Sequence, residues 1–487
     1  MLFNSFSFAI FLPVVFLVYY ALPHRFRVLF LLLASCYFYM AFVPAYVLIM
    51  FAVITVDYFL APLIHKHVGK KRALFLTGSI VINLGILFFF KYFNFFNQNI
   101  DALADVLNFN YAPMLLSIAL PLGLSFHIFQ SLSYVIEVYK GKYEPEKNYI
   151  RYALYVMFFP QLVAGPIERP AHLLPQLRTP VVFNAHLARQ GLERILWGFF
   201  KKLVIADQLA QVINPLFASN PTEGALILAL AILFTIQIYC DFSGYSDIAL
   251  GTAMLLGFNL TENFNRPFAA VSFADFWRRW HMSLSNWLRD YLYYPLALGW
   301  GKVSKTKLYL SLLTTFTLIG LWHGANWTFV VFGFMHGMYL FIELLTERFR
   351  KKIVSTILLH KVPLLHKTIQ VSIVFLGTAL SFLVFRSESM SQATLLFTNL
   401  VSNFSVSFAV HDLLPILTKT TGTIVFFAVF LATLLMFVIE YYQEKHKTFF
   451  IFDALPRQIR YGWYYILMVG IVFFGYFGAQ SFIYFQF

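Results

Sequence analysis

The sequence predicts an all-α polytopic membrane protein, with about eleven transmembrane helices and additional re-entrant or interfacial helices. Three observations carry that expectation. Charged residues make up 12% of the 487 positions, where a soluble domain carries about 25%. Hydrophobic residues make up 60%, so a soluble fold would lack the polar groups to cover its surface. The apolar residues also fall in runs close to the ~20 that one bilayer crossing needs. The 59 phenylalanines suit a lipid-facing surface as well as a packed interior.

In chain order the runs lie near 8–23, 28–41, 43–64, 73–96, 113–139, 150–165, 190–212, 225–257, 307–322, 327–346, 369–386, 422–442 and 461–483. The first has no basic segment before it and no small-residue cleavage site after it. It reads as a retained span or as a helix lying in the interface. The 225–257 run is too long for one upright helix, and Ser243-Gly244 in its middle is a place to bend or break. Basic residues cluster between runs: Lys66, Lys70, Lys71 and Arg72, then Arg348, Arg350, Lys351, Lys352, Lys361 and Lys367, then 445–460. These read as cytoplasmic, and the basic-poor 97–111, 213–224 and 387–421 as external. Counting from 445–460 places Phe487 outside. The net charge of +14 is explained by this asymmetry, and no basic segment is interleaved with a stacking platform for nucleic acid. Cys36 and Cys240 both lie in apolar runs and read as two buried thiols. With no repeat and no long linker, one membrane domain over 1–487 is the simplest organisation.

Two segments resist reading as ordinary spans. Phe158–Leu177 holds Pro160, Pro166, Pro170 and Pro175 with Gly165, Glu168 and Arg169. Proline removes a donor and forbids a continuous helix. Irregular backbone at such depth persists only inside protein or beside a water-filled cavity. Val271–Pro295 reads as one amphipathic helix. Phe273, Phe276, Trp280, Leu284, Trp287 and Tyr291 share one arc, and Asp275, Arg278, His281, Ser285, Asn286 and Arg289 the other.

Ionisable groups within apolar runs cost free energy and face a cavity or each other. Four clusters qualify: His127 with Gln130 and Glu137, Asp241 with Tyr245 and Asp247, the His281 segment, and Trp322 to His336. Gly324 and Asn326 mark a helix boundary, so His323 is held at a break in the backbone. An imidazole there can take a hydroxyl proton and return it to a leaving group; the bland reading is a core histidine bonded to a carbonyl. Asp241 and Tyr245, four apart, share a helix face and read first as a hydrogen-bonded pair. Glu137 reads as solvated at a helix end. Arg278 and Arg279 either hold lipid phosphates or line a path for an anionic donor. His323 and His336 are thirteen residues apart, about 220° around an unbroken helix, and do not share a face. No His-Glu-x-x-His, Cys/His cluster, Gly-x-Ser-x-Gly elbow or P-loop is present, so no metal ligand is assigned.

Read together, six stretches resemble the membrane-bound O-acyltransferase (MBOAT) family, and within it the alginate O-acetyltransferase-like branch. They are GLSFHIFQSLSYVIEVYKG at 123–141, FFPQLVAGPIERPAHLLPQL at 158–177, YCDFSGYSDIALGTAMLLGFNLTENFNRPF at 239–268, FWRRWHMSLSNWLRDYLYYPL at 276–296, GLWHGANWTFVVFGFMHG at 320–337 and the C-terminal FIYFQF. The resemblance implies helices around a central cavity, in the bacterial cytoplasmic (inner) membrane. It implies His323 and His281 as the catalytic histidines. His336, Trp322, Asn326, Arg278, Arg289, Asp241 and Tyr245 become candidates for the cavity and donor site. It further implies an acyl group, acetyl in this branch, passing from a cytoplasmic thioester (acetyl-CoA or an acyl-carrier protein) towards an external polysaccharide such as alginate. No tightly bound cofactor is expected. The expected partners are an extracytoplasmic hydrolase-like acyltransferase and membrane lipid, with no nucleic acid. The rivals are D-alanyl transfer to teichoic acid, a transporter or flippase without acyl chemistry, and a scaffold that recruits an external transferase.

Overall fold

Regular structure is helical throughout the described residues, with no strand among them. The structure is a computed structural model and describes residues 1–118, 120–162, 165–299, 301–478, 480, 482 and 483. Among the described residues, six helices are long and apolar enough to cross a bilayer: Tyr46–Lys66, Gly69–Val106, Gly224–Leu255, Trp327–Leu345, Pro363–Arg386 and Thr423–His446. The chain is therefore a multi-pass membrane protein. Thr423–His446 shows how such a helix is built. Val429, Ala432, Met436 and Ile439 recur every three or four residues and are buried, yet Ile424, Phe430 and Leu434 are apolar and exposed. A helix that is apolar all round has no water-facing side, so the exposed residues face lipid.

The helices depart from the expected runs at prolines. Of the described residues in 113–139 only Leu124–Tyr139 are helical; those around Pro113 and Pro121 are not. The 150–165 run stops at Met157 and continues as a single turn, Phe159–Leu162, around Pro160. The 190–212 run lies in a helix, Ala185–Phe199, that passes through a π-helical stretch, Phe200–Ala206, into Asp207–Ala218. The first run forms Phe6–Ala21, sixteen residues long. Gly224–Leu255 corrects the expectation of a break, being helical through Ser243 and Gly244. Gly244 serves close packing instead: a Cβ there would lie 2.8 Å from the Gly198 carbonyl oxygen.

Two compact units divide the described chain, one of 1–195 with 246–261 and one of 196–245 with the rest. In the first, residues 158–162 and 165–168 of the proline-rich segment are buried in protein, as irregular backbone in a membrane chain requires. Phe158, Phe159, Leu162 and Glu168 are all buried. The Tyr155 hydroxyl donates to the Glu168 carbonyl at 2.8 Å, and the Glu168 carboxylate meets His172 Nδ1 at 2.6 Å and the Thr261 N–H at 2.5 Å. His127 bonds through Nδ1 to the Val156 carbonyl and Gln130 donates to that of Tyr155. Their expected cluster thus anchors the backbone of the neighbouring Tyr149–Met157 helix. Asp247 pairs with Arg194 at 2.9 Å, both buried.

In the loop ahead of that helix, Glu146 accepts from Asn148 N–H, Arg151 and Arg178 at 2.7–3.0 Å. Burial pushes its pKa up, but the Asn148 N–H and the two guanidiniums outweigh burial and hold it below the ordinary carboxylate range. A lowered folded-state pKa gives stability above the unfolded value that is lost as pH falls through the folded one. The gap in unfolding temperature between wild type and Glu146→Gln is expected to be full near pH 7 and to close below about pH 4. Thermal unfolding in detergent across that range measures it; a gap that does not narrow as the pH falls below about 4 contradicts it.

The second unit holds the histidine-bearing helices Lys305–His323 and Trp327–Leu345. They are brought together where Gly320 meets Gly333: a Cβ on Gly320 would fall 2.0 Å from the Phe329 oxygen, and one on Gly333 2.3 Å from the Phe316 oxygen. The expected single amphipathic helix over Val271–Pro295 is corrected to four short pieces. These are Phe273–Trp277, Met282–Leu288, a π-helical turn Arg289–Tyr293, and Tyr294–Leu298. The cause is competing backbone pairing. Asn265 N–H bonds the Arg279 carbonyl and Met282 N–H bonds the Asn263 carbonyl, which draws the turn out of the helical path.

Candidate active site

His281 stands at that turn, with φ 42° and ψ 53°. A left-handed conformation is disfavoured for a residue with a Cβ and is kept only where its surroundings enforce it. Here it turns the ring inward. His281 is 1% exposed, which corrects the expectation that it lies on a polar face with Arg278 and Ser285. Its ring meets Phe242 edge-on at 4.7 Å and Trp322 at 6.0 Å between centroids.

His323 ends its helix as expected. Gly324 is extended, and Asn326 caps the next helix by accepting from Thr328 N–H at 3.1 Å while donating to the Glu388 carbonyl at 2.9 Å. The geometry gives Asn326 a capping position. The His323 ring packs against Trp322 at 5.1 Å, Phe385 at 5.4 Å and Phe332 at 5.9 Å. Trp322 therefore contacts both histidines, and residues 42 positions apart in sequence, His281 and His323, meet one indole.

His336 is pinned on both nitrogens. Trp277 Nε1–H donates to Nδ1 at 3.3 Å, and Nε2 lies 2.8 Å from Ser381 Oγ. Ser381 Oγ–H donates to the Thr378 carbonyl, so Nε2 carries the proton and donates to Oγ. Phe332 contacts both His323 and His336. The angular separation of an unbroken helix does not apply, because the chain turns back at Gly324.

A cavity of about 560 Å³ opens beside these helices. Its lining combines the partly or fully exposed Arg278, Arg289, Arg350, Glu343 and Glu347 with the buried Trp277, Phe316 and Ile319. Neither His323 nor His281 lines it. Thr315 and Ile319, which do, precede His323 by eight and four residues on the same side of the helix, so His323 lies about 6 Å along the helix from Ile319. Ser285, also lining, follows His281 by one turn.

Asp241 has partners outside its own helix. Lys202 Nζ donates to its Oδ1 at 2.6 Å and to Asp207 at 2.8 Å, all three being buried. Asp241 Oδ2 accepts from Ile483 N–H at 2.8 Å. Phe482 then packs on Tyr245 at 4.6 Å and on Phe242 at 5.6 Å, the same Phe242 that meets His281. Residues 484–487 of FIYFQF, and with them the expected external C-terminus, lie outside the described residues. The sequence reading missed Lys202, Phe242, Trp277 and Ser381. Adjacent lysines inside FFKKLVIA, with Asp207 beyond, were the available signal for Lys202; an isolated serine or phenylalanine in an apolar helix offers none. Among the described residues no group of three or more His, Cys, Asp and Glu is placed to hold a metal.

The MBOAT, membrane-bound O-acyltransferase family model matches residues 146–385. The chain is 41% identical over 345 residues to "Probable alginate O-acetylase AlgI" of Azotobacter vinelandii, covering 70% of this chain and 68% of that protein. It is 39% identical over 398 residues to the protein of the same name from Pseudomonas aeruginosa, covering 80% and 72%. It is 35% identical over 379 residues to "Peptidoglycan O-acetyltransferase" of Helicobacter pylori, covering 70% of each. With its two central histidines gathered around Trp322, the chain belongs to the membrane-bound O-acyltransferase family and is an O-acyltransferase.

Proposed function

We propose that the chain passes an acetyl group from a cytoplasmic thioester, acetyl-CoA or an acyl-carrier protein, to hydroxyls of an extracytoplasmic polysaccharide of the alginate type. It does so in a bacterial inner membrane, with about eleven crossings around a central cavity, as a single domain. A hydrolase-like partner completes delivery outside. The observation that carries this reading is a cavity lined by Arg278, Arg289 and Arg350 whose lining residue Ile319 lies one helical turn before His323. Thiol donors of this kind carry phosphates, which Arg278, Arg289 and Arg350 attract. The acceptor hydroxyl gives its proton to the His323 imidazole as its oxygen attacks the thioester carbonyl. The C–S bond then breaks, and the imidazolium returns the proton to the departing thiolate. His281, which also contacts Trp322, orients the donor or the developing charge.

Transfer of radiolabelled acetyl by the purified protein with its partner, against uptake into vesicles, separates this reading from a transporter. Transfer without uptake supports it, and uptake without transfer overturns it. Reversing charge at the cavity mouth, Arg289→Glu with Arg350→Glu, is expected to raise KM for the donor about tenfold or more with a smaller change in kcat. An unchanged KM removes the arginines from the donor site.

A further inference from the structure

His336 takes no part in the proton transfers assigned to His323. It is fully buried, and both ring nitrogens are engaged. Nδ1 accepts from Trp277 Nε1–H at 3.3 Å, and Nε2 donates to Ser381 Oγ at 2.8 Å. The two bonds agree on the tautomer. An indole N–H can only donate, and the Ser381 hydroxyl gives its own hydrogen to the Thr378 carbonyl at 2.7 Å. Phe276, Phe332 and Tyr339 enclose the rest of the ring, with centroids 4.8–6.1 Å away. A general base must offer a nitrogen to its substrate, and this ring has none to offer.

Its partner Trp277 does reach the cavity. The indole lines it together with Val271, Ser272, Ala274 and Arg278, so one side of the cavity comes from the short helix Phe273–Trp277 and its flanks. A helix of five residues is too short to hold its own shape or place. One side of Trp327–Leu345 holds it. At its start, Glu343 accepts from Phe273 N–H and Ala274 N–H at 2.9 and 3.3 Å. Tyr339 stacks on Phe273 at 4.5 Å between centroids. At its end, His336 takes the Trp277 N–H. His336, Tyr339 and Glu343 follow one another at three and four residues, the spacing that lines up side chains along one side of a helix. They form one clamp, and His336 is the part of it that fixes a cavity wall.

We propose that His336 is a positioning residue for the acyl donor: its Nδ1 aims the Trp277 indole so that the ring forms one wall of the donor cavity. The inference rests on the reading of that cavity as the donor site. Without the imidazole the indole N–H is buried and unpaired, which drives the ring towards another partner and takes the wall with it. The effect falls on donor binding rather than on proton transfer.

The test is transfer kinetics with acetyl-CoA as donor, using the purified full chain with its partner. Three variants carry it: His336→Leu, His336→Asn and Trp277→Phe. Leucine fills the space but gives the indole no acceptor, whereas asparagine sets an oxygen near the place of Nδ1 and nothing at Nε2. His336→Leu is expected to raise KM for acetyl-CoA about tenfold with kcat changed by less than about threefold, and His336→Asn to recover most of that loss. Trp277→Phe, which has no N–H, is expected to raise KM similarly, and adding His336→Leu to it to cost little more, because the two share one interaction. A kcat that falls about a hundredfold in both His336 variants makes the imidazole an acid–base group and overturns the proposal. An unchanged KM in His336→Leu, where Arg289→Glu with Arg350→Glu raises it, overturns the proposal and leaves the donor cavity standing. An unchanged KM in both overturns the donor cavity itself and the proposal with it. Where His336→Leu does not fold, an unchanged KM in Trp277→Phe overturns it instead.

Discussion

His323→Ala is expected to lower O-acyl transfer by about a thousandfold or more while the protein remains folded and inserted. A positioned acid–base group contributes about 10²–10⁴-fold, and about a thousandfold corresponds to ~4 kcal/mol of activation free energy. The imidazole sits among the rings of Trp322, Phe332 and Phe385, so truncation also leaves a void. His323→Gln fills more of that space without supplying the base and should be equally inactive. Matched unfolding temperatures for Gln and wild type, with activity lost, assign the loss to chemistry. Polymer O-acetylation retained by either variant removes His323 from the reaction. His281→Ala, which leaves His323 in place, is expected to cost less, and the difference between the two measures how far the roles are divided.

Lys202→Met is expected to destabilise the protein by about 3–5 kcal/mol, the cost of stranding buried charge. Its removal leaves Asp207 and Asp241 facing each other without a cation. The variant should unfold at a clearly lower temperature in detergent. Lys202→Met combined with Asp207→Asn and Asp241→Asn should recover most of the loss, because neutral groups of similar shape need no counter-charge. A single variant as stable as wild type contradicts the account. Activity adds a second reading. Asp241 also accepts the Ile483 N–H, which holds Phe482 on Phe242 beside His281. Loss of transfer in the recovered triple variant would place that chain of contacts in the site's geometry.

What could be read in advance divides along one physical line. Membrane character, the helix boundary at His323 and the enclosed proline segment all follow from local rules of composition, capping and missing donors. They needed no knowledge of neighbours. His281 was placed on the wrong face because helical periodicity assumes a helix. The turn at 278–281 is set by Asn263 and Asn265, which pair with it across the chain. The break assigned to Ser243-Gly244 failed for a related reason: the glycine answers a close approach by Gly198, and a small residue does not say which of its uses applies. Lys202 and Asp241 are 39 positions apart, and only tertiary structure joins them. The catalytic assignment itself came from motif resemblance, since a lone intramembrane histidine carries no chemistry in its spacing.

The contact of the Trp322 indole with two imidazoles has an optical consequence. Indole emission is quenched by an adjacent protonated imidazole, so this side chain reports the charge state of both histidines from within the site. The chain has eight tryptophans, and the difference between wild type and Trp322→Phe isolates that one signal. Donor and acceptor binding could then be followed by light, without labels and before any bond is made.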